Sequence, residues 1–283
     1  MRAKQSKFCG WVIVLLALPG LLFASEAQNS FNEGIKYYRA GKFKEAITAY
    51  DRALKAAPNA AEVYNNRGLA YAKLGQEDSA IKNYDEAVKL NPKLTDAVYN
   101  RANAYLVQKQ YDQAIKDFDE VIKQNPKMPK VYEQRGRAYI SVSQFEKAVQ
   151  DFDQAHKIDP KNAEIFHQRA LAQRRLGKHE LAIKDYSEAL KLNPKDAETY
   201  SNRGNVYSLL GKYDDALKDY DEAVKLAPKN ARIYANRGML KLRQGKSEDA
   251  QKDFSKAVEL EPSLREKIQA LAGEQKGAPP EKK

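Results

Sequence analysis

Apolar and small side chains recur along this chain with the spacing of an amphipathic helix. In residues 61–94 one such run covers 61–74 and a second covers 77–90, with Gly75 between them. Pro92 follows the second run, and proline disfavours helix at the residue before it. The segment therefore predicts two antiparallel helices joined by a tight turn and followed by a loop, which is a helical hairpin.

The hairpin pattern recurs seven times without insertion or deletion. A proline closes each copy at an interval of 34 residues, at Pro58, Pro92, Pro126, Pro160, Pro194, Pro228 and Pro262. A fixed period of roughly 20–50 residues is typical of a solenoid, in which each repeat contacts only its neighbours. We assign the repeats, within the region 28–264, to residues 27–60, 61–94, 95–128, 129–162, 163–196, 197–230 and 231–264.

Equivalent positions of the seven repeats show which side chains are restricted in size. The small column is Gly34, Gly68, Ala102, Gly136, Ala170, Gly204 and Gly238. The alanine column is Ala46, Ala80, Ala114, Ala148, Ala182, Ala216 and Ala250. The aromatic column is Tyr50, Tyr84, Phe118, Phe152, Tyr186, Tyr220 and Phe254, and the tyrosine column is Tyr37, Tyr71, Tyr105, Tyr139, Gln173, Tyr207 and Lys241. We expect the small residues to bring paired helices close together and both ring-bearing columns to form the core.

Charged residues also recur in register. An arginine precedes the small column in six repeats, at Arg67, Arg101, Arg135, Arg169, Arg203 and Arg237. Aspartates flank the aromatic column, before it at Asp117, Asp151, Asp185, Asp219 and Asp253, and after it at Asp51, Asp85, Asp119, Asp153 and Asp221. Our hypothesis is that each arginine bridges an aspartate of its own repeat and one of the preceding repeat. Ser187 interrupts this pattern, and the alternative is a row of arginines open to a ligand.

The period and the coinciding columns resemble the tetratricopeptide repeat over residues 27–264. The resemblance implies an all-α, right-handed superhelical solenoid of antiparallel helix hairpins. It also implies that the first helix of each repeat lines a concave groove that holds an extended peptide or a partner helix. The resemblance is specific for the fold and leaves the partner open, because function depends on the site that a fold carries.

The segments outside the repeats have compositions of their own. Ser263 and Glu266 have the spacing of a capping box, so we predict a capping helix over 263–272. Residues 273–283 are rich in proline, glycine and lysine, so we expect a disordered tail.

At the other end, basic residues precede an apolar run at 8–24, and small residues follow at Ala24 and Ala27. This layout predicts a signal peptide over 1–27 and export of the repeats to the periplasm or the medium. An uncleaved membrane anchor, with the repeats outside the cytoplasm, is the alternative for a run this short. The single cysteine, Cys9, lies in this segment, so the repeats can form no disulfide or cysteine-based metal site.

The groove implied by the resemblance would be lined by one carboxamide from each repeat. These residues are Asn32, Asn66, Asn100, Gln134, Gln168, Asn202 and Asn236. A carboxamide offers a donor and an acceptor, so it can hold a peptide backbone without reading its side chains. The alternative is that these residues only keep the groove soluble.

Neighbouring groove positions differ between repeats, which is where specificity would arise. The candidates are Tyr99, Asn103, Arg137, Arg174 and Arg175. Arg174 and Arg175 form a basic cluster with Lys178 and His179, a candidate site for an acidic peptide or another anion, with ordinary solvated charge as the alternative. Co-chaperone members of the family clamp a terminal carboxylate with lysines and asparagines, but Tyr99 and Ser201 stand at the lysine positions. We therefore expect no chaperone-tail ligand.

The remaining composition argues against other classes of function. The net charge is +11, but charges alternate in sign along the helices, so we expect no nucleic-acid partner. The three histidines match no catalytic or metal-binding spacing, and we expect no enzyme, cofactor or metal. Two hypotheses follow. The chain is an exported scaffold that binds a protein or peptide, or it is a structural, self-assembling envelope module tethered by its N-terminus.

Overall fold

The computed structural model describes residues 19–276, and every regular element in that range is an α-helix. The all-α prediction is therefore confirmed. The helices are α1 (Pro19–Arg39), α2 (Phe43–Ala56), α3 (Ala61–Lys73), α4 (Glu77–Leu90), α5 (Thr95–Val107), α6 (Tyr111–Gln124), α7 (Pro129–Ser141), α8 (Phe145–Ile158), α9 (Ala163–Arg175), α10 (His179–Leu192), α11 (Ala197–Leu209), α12 (Tyr213–Leu226), α13 (Ala231–Arg243), α14 (Ser247–Leu260) and α15 (Leu264–Lys276). Contacts divide the chain into an N-terminal subdomain with α1–α5 and a C-terminal subdomain with α6–α15.

Within each subdomain, helices pack as consecutive hairpins. In the first, α1 packs on α2 and α3 on α4; in the second, α7 packs on α8, α9 on α10, α11 on α12 and α13 on α14. The second helix of each of these hairpins also contacts the helix that follows it. This nearest-neighbour packing is a solenoid of helical hairpins, as the 34-residue period predicts. The predicted helices over 61–74 and 77–90 are α3 and α4, with α3 ending one residue earlier.

The turn inside each hairpin requires a left-handed backbone. Glycine supplies it in five repeats, as at Gly75 with φ 71° and Gly211 with φ 71°. Lys109 and Ser143 take the same conformation with φ values of 59° and 60°. Such a φ is costly for a residue with a Cβ, so packing of the flanking helices holds the turn in place.

The core follows the alanine and aromatic columns. Ala148 and Phe152, for example, are fully buried together in the C-terminal subdomain, where they pack against Tyr132 and Ile165 of the helices beside them. Every described member of these two columns is buried, so this part of the core prediction is confirmed.

The tyrosine column lies at the edge of the core. Its tyrosines are half-buried and pack against the core clusters, so the core prediction holds for them in part, at Tyr37, Tyr71, Tyr139 and Tyr207. The rings of Tyr139 and Tyr207 also lie against arginine side chains. Gln173 in the same column is buried, and Lys241 pairs with Asp253 at 2.8 Å.

The small column is explained by the aromatic column of the same repeat. A Cβ added at Gly68 would lie 2.6 Å from Cε1 of Tyr84, and one at Gly136 would lie 2.8 Å from Cζ of Phe152. The ring therefore lies flat against the backbone of the first helix. At Gly204 the nearest atom, Cε1 of Tyr220, is 3.2 Å away, which leaves more room.

At the N-terminal end, α1 has 21 residues, whereas α3 has 13. The described part of this helix begins at Pro19. Residues 1–18 of the predicted signal peptide lie outside the described part of the chain. Among residues 19–276, no helix combines the length and apolar character needed to cross a bilayer.

At the C-terminal end, α15 packs on α13 and α14, and Ile268 is buried beside Phe254. The helix continues to Lys276, so the predicted disorder is wrong for 273–276. Gly273 alone costs a helix only ~1 kcal/mol, which does not stop it. Residues 277–283 lie outside the described part of the chain.

The predicted capping box at the start of α15 does not occur among the hydrogen bonds of the described residues. The hydroxyl of Ser263 instead donates to Oε1 of Glu261 at 3.2 Å.

Substitution of alanine in the small column should separate steric clash from helix propensity. We expect Gly68→Ala to lower stability by about 1–3 kcal/mol, because the new Cβ would overlap the buried ring of Tyr84. Gly204→Ala, with its wider spacing, is the matched control and should change stability by less than about 1 kcal/mol, since the propensity of alanine offsets the tighter contact. Thermal unfolding followed by circular dichroism measures both. Equal losses would contradict the steric explanation.

Candidate functional site

The arginine row is part of the fold. Nε and Nη2 of Arg135 donate to both carboxylate oxygens of Asp151 in its own repeat, at 2.8 and 2.6 Å, and Nη1 donates to Asp119 of the preceding repeat. Arg169 and Arg237 repeat this arrangement with equivalent partners. The bridging hypothesis is confirmed for these residues.

The interruptions of the pattern keep its geometry. Nη1 of Arg203 donates to Oγ of Ser187 at 2.9 Å, so a hydroxyl replaces the missing aspartate. Nε of Arg67 donates to Oδ1 of Asn83 at 2.7 Å where other repeats have an aspartate. A neutral acceptor can therefore replace the aspartate of the preceding repeat or the aspartate of the arginine's own repeat. In both cases the arginine donates at the same position.

The pairs within a repeat are more buried than ordinary surface ion pairs. Asp151 is only 3% exposed, and burial raises its pKa while its bonds to Arg135 act in the opposite direction. Burial alone would lower the pKa of Arg135, but hydrogen bonds to Asp151 and Asp119 outweigh it and the net shift is upward. The guanidinium also lies over the rings of Tyr132 and Tyr139. Donors used in this way are not open to a ligand, which contradicts the alternative reading of the row.

The predicted carboxamides of the C-terminal subdomain lie on the first helices of successive hairpins, on α7, α9, α11 and α13, and all are half-buried. Nε2 of Gln168 donates to Oε1 of Glu164 at 2.8 Å. Within residues 19–276, the side chains of Gln134, Asn202 and Asn236 make no hydrogen bond. These three amides keep both a donor and an acceptor.

The predicted carboxamides of the N-terminal subdomain form hydrogen bonds within that subdomain. Nδ2 of Asn66 donates to the carbonyl of Glu62 at 2.8 Å, and Nδ2 of Asn103 donates to the carbonyl of Tyr99 at 2.8 Å. Nδ2 of Asn100 donates to Oδ1 of Asn65 at 2.9 Å, which joins α5 to α3. Asn65 is buried, and sequence reasoning missed it because its hydrogen-bond partner lies on another helix.

Arg137, predicted as a groove residue, forms an ion pair with Glu164 of the next repeat. The same face carries Glu133, which is buried and binds Lys130 at 2.9 Å and Nδ2 of Asn162 at 3.2 Å. This part of the first-helix face is therefore a network of opposite charges, in which Arg137 already has a carboxylate partner.

A buried polar chain joins α9 to α11. Nδ1 of His167 lies 2.6 Å from Oγ1 of Thr199, and that hydroxyl donates to Oδ2 of Asp196 at 2.5 Å. Since the hydroxyl proton is used on Asp196, Nδ1 of His167 must donate to the hydroxyl oxygen of Thr199. His167 therefore links two hairpins.

The two arginines of the basic cluster predicted in the fifth repeat have different surroundings in the structure. The guanidinium of Arg175 lies over the ring of Phe145, 5.0 Å from its centre. Arg174 faces a pocket instead, and its Nε is buried without a hydrogen-bond partner. The two neighbouring arginines thus have different roles, which their identical side chains could not reveal.

The pocket that contains Arg174 has a volume of about 440 Å³ and is named here the C-terminal pocket. It is lined by Arg174, Asn205, Ser208, Leu209, Tyr220, Asn236, Met239, Leu240, Arg243 and Leu271. Of these, sequence reasoning had proposed only Arg174 and Asn236 as site residues. Across the described part of the chain, no group of three or more histidine, cysteine or acidic side chains could hold a metal ion.

Fold and site together define a helical-repeat solenoid whose first helices carry half-buried amides that make no internal hydrogen bond, at Gln134, Asn202 and Asn236. The family model of the cilia and flagella-associated protein 70 C-terminal domain matches residues 60–278, and the TPR repeat model matches residues 34–75. The chain belongs to the tetratricopeptide-repeat family. No curated protein matches it significantly in sequence.

Solved structures of the same fold include several bacterial proteins. A tetratricopeptide repeat protein from Parabacteroides merdae ATCC 43184 is 22% identical, with a TM-score of 0.68 over 89% of this chain and 100% of its own. MamA is 26% identical, with a TM-score of 0.58 over 62% of this chain and 96% of its own. YrrB, described as a TPR protein with an unusual peptide-binding site, is 20% identical, with a TM-score of 0.58 over 70% of this chain and 98% of its own.

Removal of one bridging arginine should test whether the arginine row stabilises the fold. We expect Arg135→Ala to cost at least about 2 kcal/mol, because it leaves the buried carboxylate of Asp151 without its partner. Arg52→Ala is the matched control. Its pair with Glu33 is exposed, with 48% and 42% of the two side chains accessible, so its loss should cost less than about 1 kcal/mol. Urea and thermal unfolding measure both, and an unchanged stability of the Arg135 variant would contradict a structural role.

Proposed function

We propose that this protein is a non-enzymatic scaffold that binds a protein or peptide along the face formed by its first helices. The observation that carries the proposal is the set of half-buried amides at Gln134, Asn202 and Asn236, which make no hydrogen bond within residues 19–276. A half-buried amide without an internal partner retains a donor and an acceptor that a peptide backbone can satisfy.

The use of the remaining polar groups supports the same location. On the second helices, the aspartates beside the aromatic column accept hydrogen bonds from the bridging arginines, as Asp151 and Asp219 do. The aromatic and alanine columns are buried in the core. The half-buried amides without an internal partner therefore support the first-helix face as the place of binding. The peptide-binding site described for YrrB agrees with this proposal at the level of the shared fold.

Specificity would come from the positions that differ between repeats on this face. Tyr99 and Asn103 supply a ring and an amide in the N-terminal subdomain, whereas Arg137 and Arg174 supply positive charge in the C-terminal subdomain. The unvarying carboxamides hold the backbone of a bound segment, and the varying side chains select its sequence. An extended segment or one side of a partner helix fits such an arrangement.

Capture of a partner tests the proposal. The full chain, immobilised and exposed to extract of the cell envelope, should retain a protein partner, and Gln134→Ala combined with Asn202→Ala should release most of it, since the backbone contacts are lost. The matched control is Gln113→Ala with Gln154→Ala, which removes two exposed carboxamides from the second helices α6 and α8.

Quantitative mass spectrometry of the retained proteins compares the variants. Equal loss in both double variants would contradict binding by the first-helix face. Capture of no partner, together with concentration-dependent oligomers that the Gln134 and Asn202 substitutions leave unchanged, would favour the self-assembling envelope module instead.

We further propose that the repeats are exported by a signal peptide over residues 1–27. Cleavage after Ala27 would leave Gln28–Arg39 for the first helix, about the length of α3. Expression of the full chain in a bacterium with two membranes should give a periplasmic protein whose mass corresponds to a start at Ser25 or Gln28. Intact chain in the membrane fraction would support the anchor alternative, and intact chain in the cytoplasm would overturn export.

A further inference from the structure

The turns inside the hairpins of the C-terminal subdomain share a basic composition. Each turn runs from the last residue of a first helix to the first residue of the second helix, at 141–145, 175–179, 209–213 and 243–247. We name these four segments together the turn edge. They contain no aspartate or glutamate, whereas their lysines and arginines are Arg175, Lys178, Lys212, Arg243 and Lys246.

The four turns are neighbours in space. The guanidinium of Arg175 in the second turn lies over the ring of Phe145 in the first, 5.0 Å from its centre. Nη1 of Arg243 in the fourth turn donates to Oγ of Ser208, the residue before the third turn, at 3.5 Å. The C-terminal pocket is lined by residues of the third and fourth turns and by Arg174, which precedes the second. The turn edge is therefore one continuous surface of the subdomain.

The loops between repeats, at the other end of the same helices, have no excess of either charge. At 158–162, 192–196, 226–230 and 260–264 basic and acidic residues are equal in number, namely Lys161, Lys195, Lys229, Asp159, Asp196 and Glu261. Solubility alone therefore does not require a single sign of charge at the end of a hairpin. A surface with one sign of charge creates a potential that attracts a partner of the opposite sign.

Three cations of the turn edge have no carboxylate partner. Arg175, Lys178 and Lys212 are exposed, and none of their side chains forms an ion pair within residues 19–276. The contact of Arg175 with the ring of Phe145 uses the face of the guanidinium and leaves its N–H groups at the rim. The two basic residues of the fourth turn are not counted, because one is hydrogen-bonded and the other lies close to Asp249. The remaining three can meet an external anion.

The turn edge also exposes apolar surface beside these cations. Leu209 is 59% exposed at the end of α11, and Tyr213 is half-buried at the start of α12. The equivalents of Leu209 in the two neighbouring repeats are Arg175 and Arg243, so the repeat does not require a leucine there. An exposed leucine and a tyrosine next to cations suit the interface of a membrane, where apolar groups enter the acyl boundary and cations face the headgroups.

We propose that the turn edge binds the surface of an anionic lipid bilayer. Arg175, Lys178 and Lys212 contact lipid phosphates, and Leu209 enters the boundary between headgroups and acyl chains. A bilayer is the partner that presents anionic groups beside an apolar layer to several turns at once. The contact lies on the membrane surface and needs no membrane-spanning helix. It goes beyond the proposed function and does not depend on it, since it uses none of the first-helix amides.

Cosedimentation of the full chain with vesicles tests the charges. Vesicles of phosphatidylcholine and phosphatidylglycerol should bind the protein, and added salt should weaken the binding. We expect Lys178→Gln with Lys212→Gln to weaken it roughly twentyfold, since each cation near an anionic surface contributes about fivefold. The matched control is Lys195→Gln with Lys229→Gln, which removes the same charge from exposed positions of the loops between repeats and should change binding less than about twofold.

A local probe tests the apolar contact and reports on the turn edge alone, whatever the N-terminal apolar run does. In a Cys9→Ser background, Leu209→Cys labelled with an environment-sensitive dye should shift its emission to shorter wavelength on the anionic vesicles. The matched control is Leu192→Cys, a leucine that is 44% exposed where a loop between repeats begins, and its emission should stay unchanged. The shift at position 209 should be lost on phosphatidylcholine alone. Thermal unfolding checks that each variant is folded.

Equal loss of binding in the two lysine double variants would overturn the proposal, as would an unchanged emission at position 209. Binding to duplex DNA that Lys178→Gln with Lys212→Gln abolishes, without binding to vesicles, would assign the turn edge to a nucleic acid and also overturn it. The Gln134 and Asn202 double variant should bind vesicles like the unchanged protein, and a loss there would contradict the turn edge as the contact. The proposed function is judged separately, by capture from envelope extract.

Discussion

The arginine bridge, which binds a buried aspartate of its own repeat and an exposed aspartate of the preceding repeat, is the interaction on which the regularity of this solenoid depends. A repeat protein has no central core, so each repeat is held only by its neighbours. The guanidinium of Arg135 binds Asp151 through two parallel hydrogen bonds and Asp119 through a third, and this planar fork accepts only one arrangement of the two hairpins. The aromatic and alanine columns supply apolar burial, and the bridge sets the register in which that burial occurs.

The same bridge explains where binding capacity remains. Arginines that precede the small column are consumed by the fold, so their recurrence marks structure and not a ligand site. Arg174, which lies outside that row, is the arginine whose Nε is buried without a partner. The contrast follows from position on the helix, because only side chains that face the preceding hairpin can reach its aspartates. On the first helices, Gln134, Asn202 and Asn236 make no hydrogen bond within the described residues, whereas Arg137 and Gln168 are both paired with Glu164.

The C-terminal pocket also shows what the last helix adds. Helix α15 buries Ile268 against Phe254 and so covers the end of the final hairpin. Its Leu271 meanwhile reaches the pocket that α11 and α13 form. One helix therefore caps the solenoid and contributes to the candidate site. This combination arises because a helix that packs on the last hairpin takes the place of the next first helix, and so extends the same face.

The sequence alone determined the repeat, its hairpins and the buried alanine and aromatic columns. It also determined which aspartates the arginine row binds, because a fixed 34-residue period places equivalent residues in equivalent surroundings. It failed where equivalence breaks down. The tyrosines of the tyrosine column are only half-buried, and the contacts of Asn65 and Arg243 were not predicted, because their partners lie on other helices. Only the tertiary structure separated Arg174 from Arg175, since neighbouring side chains on a helix point in different directions, and what each meets depends on helices distant in sequence.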